Sequence, residues 1–123
     1  MELKRVVVTG LGALTPIGNN INEYWNGLVE GKSGCDGITS FDPANFKTQF
    51  ACEIKDFDPL KHFDRKEARK LDKFAQYALV SSDEAIADAG IDLDAVDKFR
   101  VGVIWGAGIG GIQTFQDEVV NFA

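Results

Sequence analysis

Three consecutive valines, Val6-Val7-Val8, run into the glycine-punctuated stretch Thr9-Gly-Leu-Gly-Ala-Leu-Thr-Pro-Ile-Gly18. No other feature constrains the fold of this chain as much. A β-branched run bounded by glycine is the pattern of a short strand buried on both faces, as in a parallel sheet covered by helices. Gly10 and Gly12 let the backbone turn where a Cβ would clash, and Pro16 and Gly18 lead out toward a helix. The theme returns near the other end: Arg100-Val-Gly-Val-Ile-Trp105 reads as a second buried strand, and Gly106-Ala-Gly-Ile-Gly-Gly111 as a second glycine turn.

The segments between alternate. Asn20-Ile-Asn-Glu23 has the form of a capping box, and Ile21, Tyr24, Trp25, Leu28 and Val29 recur at helical spacing up to Gly31. Gly27 inside that helix implies a close neighbour. Lys32 to Leu60 loses periodicity and reads as an irregular excursion with one short strand around Phe50–Ile54, anchored to the core by Phe41, Phe46, Phe50 and Phe57. A long helix follows from about Asp64, with Asp64 and Glu67 in capping positions and a stop at Gly90; the pattern is compatible with a break near Asp72. Ile91 to Phe99 is a linker, and Ile112 to Ala123 is helical. Strand, helix, excursion, helix, strand, helix is the signature of an α/β layered domain with right-handed crossovers.

At 123 residues and 45% apolar content the chain fits one modest soluble domain, spanning 1–123. No apolar run reaches membrane-spanning length and no targeting signal leads the chain, so the expected compartment is the cytoplasm. A net charge of −6 argues against nucleic acid or an anionic membrane as partner. Yet Lys61, Arg65, Lys66, Arg69, Lys70 and Lys73 crowd into thirteen positions beside only Asp64, Glu67 and Asp72. On a continuous helix Lys66, Arg69, Lys70 and Lys73 make one stripe, suited to steering a small acidic protein; the plainer reading is a solvated face. Cys35 and Cys52 lie in unlike contexts and are expected as free thiols. With one histidine, His62, neither a zinc site nor a cysteine–histidine site is expected. The second glycine turn fits GxGxxG through Gly106, Gly108 and Gly111, but a lone match is weak and the first turn fails the pattern. Ile109, set between glycines, is a candidate for the wall of a pocket that takes an apolar chain.

Taken together and in order, Val6-Val-Val-Thr-Gly-Leu-Gly12, Thr15-Pro-Ile-Gly18, Phe63-Asp-Arg-Lys-Glu-Ala-Arg-Lys-Leu-Asp72 and Gly106-Ala-Gly-Ile-Gly-Gly111 resemble the N-terminal part of a type II β-ketoacyl-[acyl-carrier-protein] synthase. The resemblance implies a thiolase-like αβαβα fold, of which this chain is an incomplete first half, and a homodimer when complete. It implies decarboxylative Claisen condensation of an enzyme-bound acyl group with malonyl on its carrier, lengthening a fatty acid by two carbons. No metal or nucleotide takes part; the phosphopantetheine arm belongs to the partner acyl carrier protein. By position, Lys66, Arg69 and Lys70 match the family's carrier-docking residues, and Ile109 matches the isoleucine that lines and gates the acyl pocket, a type II feature. The family's nucleophilic cysteine, two histidines and catalytic lysine have no counterpart here, so the chain by itself is expected to be inactive, with exposed strand edges and poor solubility. The alternatives are a polyketide ketosynthase, its non-catalytic partner subunit, or a carrier-docking module without chemistry. A nucleotide-binding oxidoreductase is a more distant one.

Overall fold

The computed structural model describes residues 3–123. Its elements run in the order α1 (Ile21–Val29), β1 (Asp36–Gly37), β2 (Phe50–Ala51), a 3-10 turn at Pro59–Lys61, α2 (Arg65–Ala68), α3 (Lys73–Ala89), a 3-10 turn at Lys98–Arg100 and α4 (Ile112–Phe122). The sheet found among the described residues is the antiparallel pair β1–β2, with Asp36 opposite Ala51 and Gly37 opposite Phe50.

The two expected parallel strands are not formed. Among the described residues, Val6–Val8 and Val101–Trp105 make no backbone–backbone hydrogen bonds. Val6 is 88% exposed and Ile104 is fully exposed. A buried parallel strand needs hydrogen-bonding neighbours and a covering layer on each face, and these residues supply neither. The valine run therefore stays open to solvent.

What does pack is the glycine turn against α3. A Cβ on Gly10 would stand 2.2 Å from the Ala85 carbonyl oxygen, and one on Gly12 2.0 Å from that of Ser81. Ser81, Ala85 and Ala89 share one helical face at four-residue spacing. Their small side chains let the turn lie directly on the helix backbone. Polar groups complete the contact: Leu11 N–H donates to Asp88 Oδ2 at 2.9 Å and Ala13 N–H to Glu84 Oε2 at 2.8 Å. The other Glu84 oxygen accepts from Ile21 N–H at 2.8 Å, one of the amides that the first turn of α1 leaves without an intrahelical partner.

Helix α1 starts and stops where its sequence indicates. Asn20 Oδ1 accepts from Glu23 N–H at 2.9 Å, and Gly31 takes a left-handed φ of 67° beyond the C-terminus. Glu23 reaches back one residue further than a standard capping box, to Asn19 N–H at 2.8 Å. Gly27 is buried against Ile17, which accounts for a glycine in mid-helix.

The long helix divides. Asp64 Oδ1 caps α2 through Lys66 and Glu67 N–H at 2.7 and 2.8 Å, and Gln76 closes it from the other side. Buried Gln76 donates through Nε2 to the Ala68 and Leu71 carbonyls at 2.8 and 3.0 Å. Orphaned C-terminal carbonyls are thus satisfied by the next helix, and the break at Arg69–Asp72 is stable. Helix α3 then runs to Gly90, left-handed at φ 61°.

Of the four aromatics expected to anchor the excursion, only Phe57 does so, edge-on to Tyr77 of α3 with ring centroids 5.1 Å apart. Phe41, Phe46 and Phe50 remain exposed, the first two against each other. The core is thin: among the described residues, Ala78, Gln76 and Ser81 of α3 are the buried residues outside α1, and no large side chain is fully enclosed.

Gly12→Ala should cost about 1–3 kcal/mol by forcing α3 away from the turn. Gly102→Ala, where a Cβ meets nothing within 4 Å, should stay within about 0.5 kcal/mol. Urea unfolding of the two variants beside the parent chain measures the difference.

Candidate functional site

The six basic residues of 61–73 do not lie on one continuous helix. Lys66 belongs to α2, Arg69 and Lys70 to the turn after it, and Lys73 opens α3. All are exposed, and among the described residues none of them is in an ion pair. Two of the three nearby acids are committed elsewhere. Asp64 caps α2, and the Asp72 side chain makes no cap bond to its own helix but accepts from Thr114 Oγ1 of α4. The cationic surface is therefore held by a bent joint, with Asp64 turned toward backbone and Asp72 toward α4.

Lys66 and Lys70 line an open groove with Asp64, Glu67 and Leu71. Leu71 is also part of the wall of an adjoining cleft of about 450 Å³ that contains Lys73, Phe74, Ile109 and Ile112. Groove and cleft meet at this one leucine, so the structure brings two of the three docking candidates next to the acyl-pocket candidate. Arg69 is exposed on the same turn but lines neither. Ile109 is 74% exposed at the rim of the cleft, a wall residue and not an enclosed plug.

The second glycine turn is seated by close approach. A Cβ on Gly110 would stand 2.7 Å from the Phe74 ring, and one on Gly111 (φ 69°) 2.5 Å from Asp72 Oδ2. This bears on the GxGxxG match. In a dinucleotide site the pyrophosphate rests at the N-terminus of the helix after the turn. Here that position faces the Asp72 carboxylate, which would repel it. The motif serves packing. Among the described residues no group of three or more His, Cys, Asp or Glu side chains could hold a metal ion. His62 is exposed and stacked on Phe57, and Cys35 and Cys52 are free and exposed.

Sequence reasoning missed Leu71, Phe74 and Ser40 as cleft-lining residues. The apolar pair reads as core from its spacing, and Ser40 comes from the aperiodic excursion. Ser40 is positioned by Glu53, whose carboxylate accepts from Thr39 N–H at 2.9 Å, Thr39 Oγ1 at 2.7 Å and Ser40 N–H at 3.2 Å. Hydrogen bonds from the Ser40 and Thr39 hydroxyls, and then from the Thr39 amide, lower its pKa from the ordinary 4.5 to about 2. Burial raises the Tyr77 hydroxyl pKa, with a smaller contribution from the Glu53 charge.

The sequence profile of the family described as "Beta-ketoacyl synthase, N-terminal domain" matches residues 3–121. The 3-oxoacyl-[acyl-carrier-protein] synthase 2 of Synechocystis sp. is 46% identical over 118 residues, covering 96% of this chain and 28% of the relative. That of Staphylococcus aureus (strain COL) is 45% identical over 113 residues, covering 92% and 27%. The chain thus spans little more than a quarter of the relatives it matches. Among solved structures, the ishigamide ketosynthase/chain length factor aligns with a TM-score of 0.62 at 36% identity, over 72% of this chain and 22% of that one. A type II polyketide ketosynthase solved with its acyl-carrier protein and a hexaketide, AntDE:AntF, aligns with a TM-score of 0.55 at 27% identity, over 74% and 23%.

The Glu53 clasp should depend on pH. Its carboxyl is depressed in the folded chain, so its stabilising effect is complete above the ordinary carboxyl value of 4.5 and is lost as pH falls through about 2. Thr39 amide hydrogen exchange should accelerate across that window in the parent chain. In Glu53→Gln it should be fast and insensitive to pH-driven clasp opening throughout, once intrinsic exchange is corrected for.

Proposed function

The chain belongs to the β-ketoacyl synthase family, and from that premise we propose that it forms the carrier-docking and acyl-pocket flank of a 3-oxoacyl-[acyl-carrier-protein] synthase acting in fatty-acid elongation. One observation carries the assignment: the unpaired cations of the α2–α3 joint adjoin, through Leu71, the cleft rimmed by Ile109. A carrier protein delivers its acyl group on a long flexible arm. Its acidic surface must therefore be held close to the mouth of the pocket that receives the chain, and a cationic groove sharing a wall residue with an apolar cleft supports that reading.

The roles follow from the chemistry. Lys66, Arg69 and Lys70 are exposed, flexible cations, which steer an acidic partner and fix its orientation more than they add raw affinity. Ile109 stands on a glycine-flanked turn with Leu71, Phe74 and Ile112 around it, an apolar surface suited to a hydrocarbon chain and without a group to polarise a carbonyl. The condensation itself, in which malonyl loses carbon dioxide and its carbanion displaces the enzyme thiolate from the acyl group, requires a nucleophile and proton carriers that Cys35, Cys52 and His62 do not supply. The arm that carries malonyl is the partner's, so the reading calls for no metal or nucleotide on this chain. The whole enzyme is proposed as a thiolase-like αβαβα homodimer. The polyketide reading draws on the ketosynthase likenesses at 36% and 27% identity; fatty-acid elongation draws on higher identity, 45–46%, over more of the chain.

Charge reversal tests the docking surface. Lys66→Glu with Arg69→Glu should weaken binding of the acidic carrier protein about tenfold or more at low salt, with a slower on-rate and a shallower salt dependence. Unchanged affinity would remove these residues from docking. Ile109→Gly in the complete enzyme should shift the acyl chain-length profile, read by mass spectrometry of the products. An unaltered profile would remove Ile109 from the pocket.

A further inference from the structure

Cys35 and Cys52 are seventeen positions apart in sequence, but each directly flanks the paired residues of β1–β2, at the same end of the ladder. The β1–β2 register pairs Asp36 with Ala51 and Gly37 with Phe50; continued one step past these pairs, it would place Cys35 opposite Cys52. The phase of the ladder is also given. Ile38 N–H donates to the carbonyl of Gln49, the residue directly across, at 3.1 Å. Hydrogen-bonded and non-hydrogen-bonded pairs alternate in an antiparallel ladder, so Asp36–Ala51 is a hydrogen-bonded pair and the next position outward, that of Cys35 and Cys52, would be a non-hydrogen-bonded one. Side chains stand closest there, with Cα atoms about 4.5 Å apart, inside the range of about 4.4–6.8 Å that a disulfide spans. Both thiols are free and solvent-exposed, so a small oxidant can reach them. Lys55, paired with Asp36 at 2.8 Å, keeps a cation within electrostatic reach of Cys35.

We propose that Cys35 and Cys52 are a redox-active dithiol that closes to a cross-strand disulfide by exchange with a low-molecular-weight disulfide such as oxidised glutathione. One cysteine thiolate attacks a sulfur of that disulfide, forming a mixed disulfide and releasing one glutathione. The second cysteine attacks the protein sulfur of the mixed disulfide, forms the Cys35–Cys52 bond and releases the other glutathione. Two protein thiols are oxidised, one small disulfide is reduced, and the two thiol protons end on the two released glutathiones. The bond would tie together the open end of β1–β2. The connection at the other end of that hairpin carries Ser40 at the cleft, and Glu53, the residue after Cys52, reaches across to clasp it. Oxidation would thereby stiffen one wall of the acyl cleft.

The test is exposure of the whole chain, fully reduced and at low protein concentration, to oxidised glutathione, followed by intact-mass and peptide-mass analysis. The expected product has lost two hydrogens, retains no glutathione and yields the Cys35 and Cys52 peptides linked to each other at a rate independent of protein concentration. Cys35→Ser and Cys52→Ser should each retain one glutathione, because the resolving thiol is gone. Stable glutathione on both cysteines of the parent chain, no consumption of thiol, or a bond joining two chains would each overturn the proposal.

Discussion

The packing of the first glycine turn directly on α3 is the contact on which the described structure depends. Gly10 and Gly12 press against the backbone at Ser81, Ala85 and Ala89, closer than any residue with a Cβ permits. The approach brings the turn's amides within reach of Asp88 and Glu84. Glu84 then divides its two oxygens between Ala13 and the first residue of α1. One carboxylate on α3 thus fixes both the turn and the helix that follows it. A longer side chain at position 10 or 12 would break both links together.

A second joint, at Asp72, organises the functional face. Asp72 ends the α2–α3 turn in an extended conformation and makes no side-chain cap bond to α3, while its carboxylate receives Thr114 from α4 and lies against Gly111. Gln76 meanwhile closes α2 from inside. These polar contacts hold the bend that separates Lys66 from Lys73, and the bend turns a helical stripe into a groove meeting a cleft. They also commit Asp72 to α4, and among the described residues no ion pair occupies these lysine and arginine side chains, which leaves the cations available to an external partner. Exposed ion pairs contribute little to stability, so leaving these cations unpaired costs the fold little.

The apolar inventory is large for so thin a core. Val6, Ile104, Phe99, Phe115 and Phe122 are exposed, as are Trp25 and Val29 on α1. Apolar surface on this scale is characteristic of faces that other protein layers cover. The expected exposure of strand-forming segments and helix faces is met at each of these positions except Phe99, which lies in the linker's 3-10 turn. About three quarters of the chain aligns with ketosynthase structures several times longer.

Local chemistry was legible along the sequence. Asn20, Asp64, Gly31 and Gly90 mark helix ends because capping and left-handed termini depend on neighbours a few residues away, and the family motifs, the free thiols and the basic cluster are likewise local. The burial of Val6–Val8 was not legible, because a parallel strand is made by partners and covering layers that its own residues cannot specify. The break at Arg69–Asp72 depends on Gln76 folding back from the following helix, and the meeting of groove and cleft at Leu71 depends on where α4 docks. The proposed apposition of Cys35 and Cys52 is drawn from ladder register alone. What the sequence by itself determined was which residues turn, cap and carry charge; which of them meet was decided by tertiary structure, since contact between distant segments is set by packing and not by spacing.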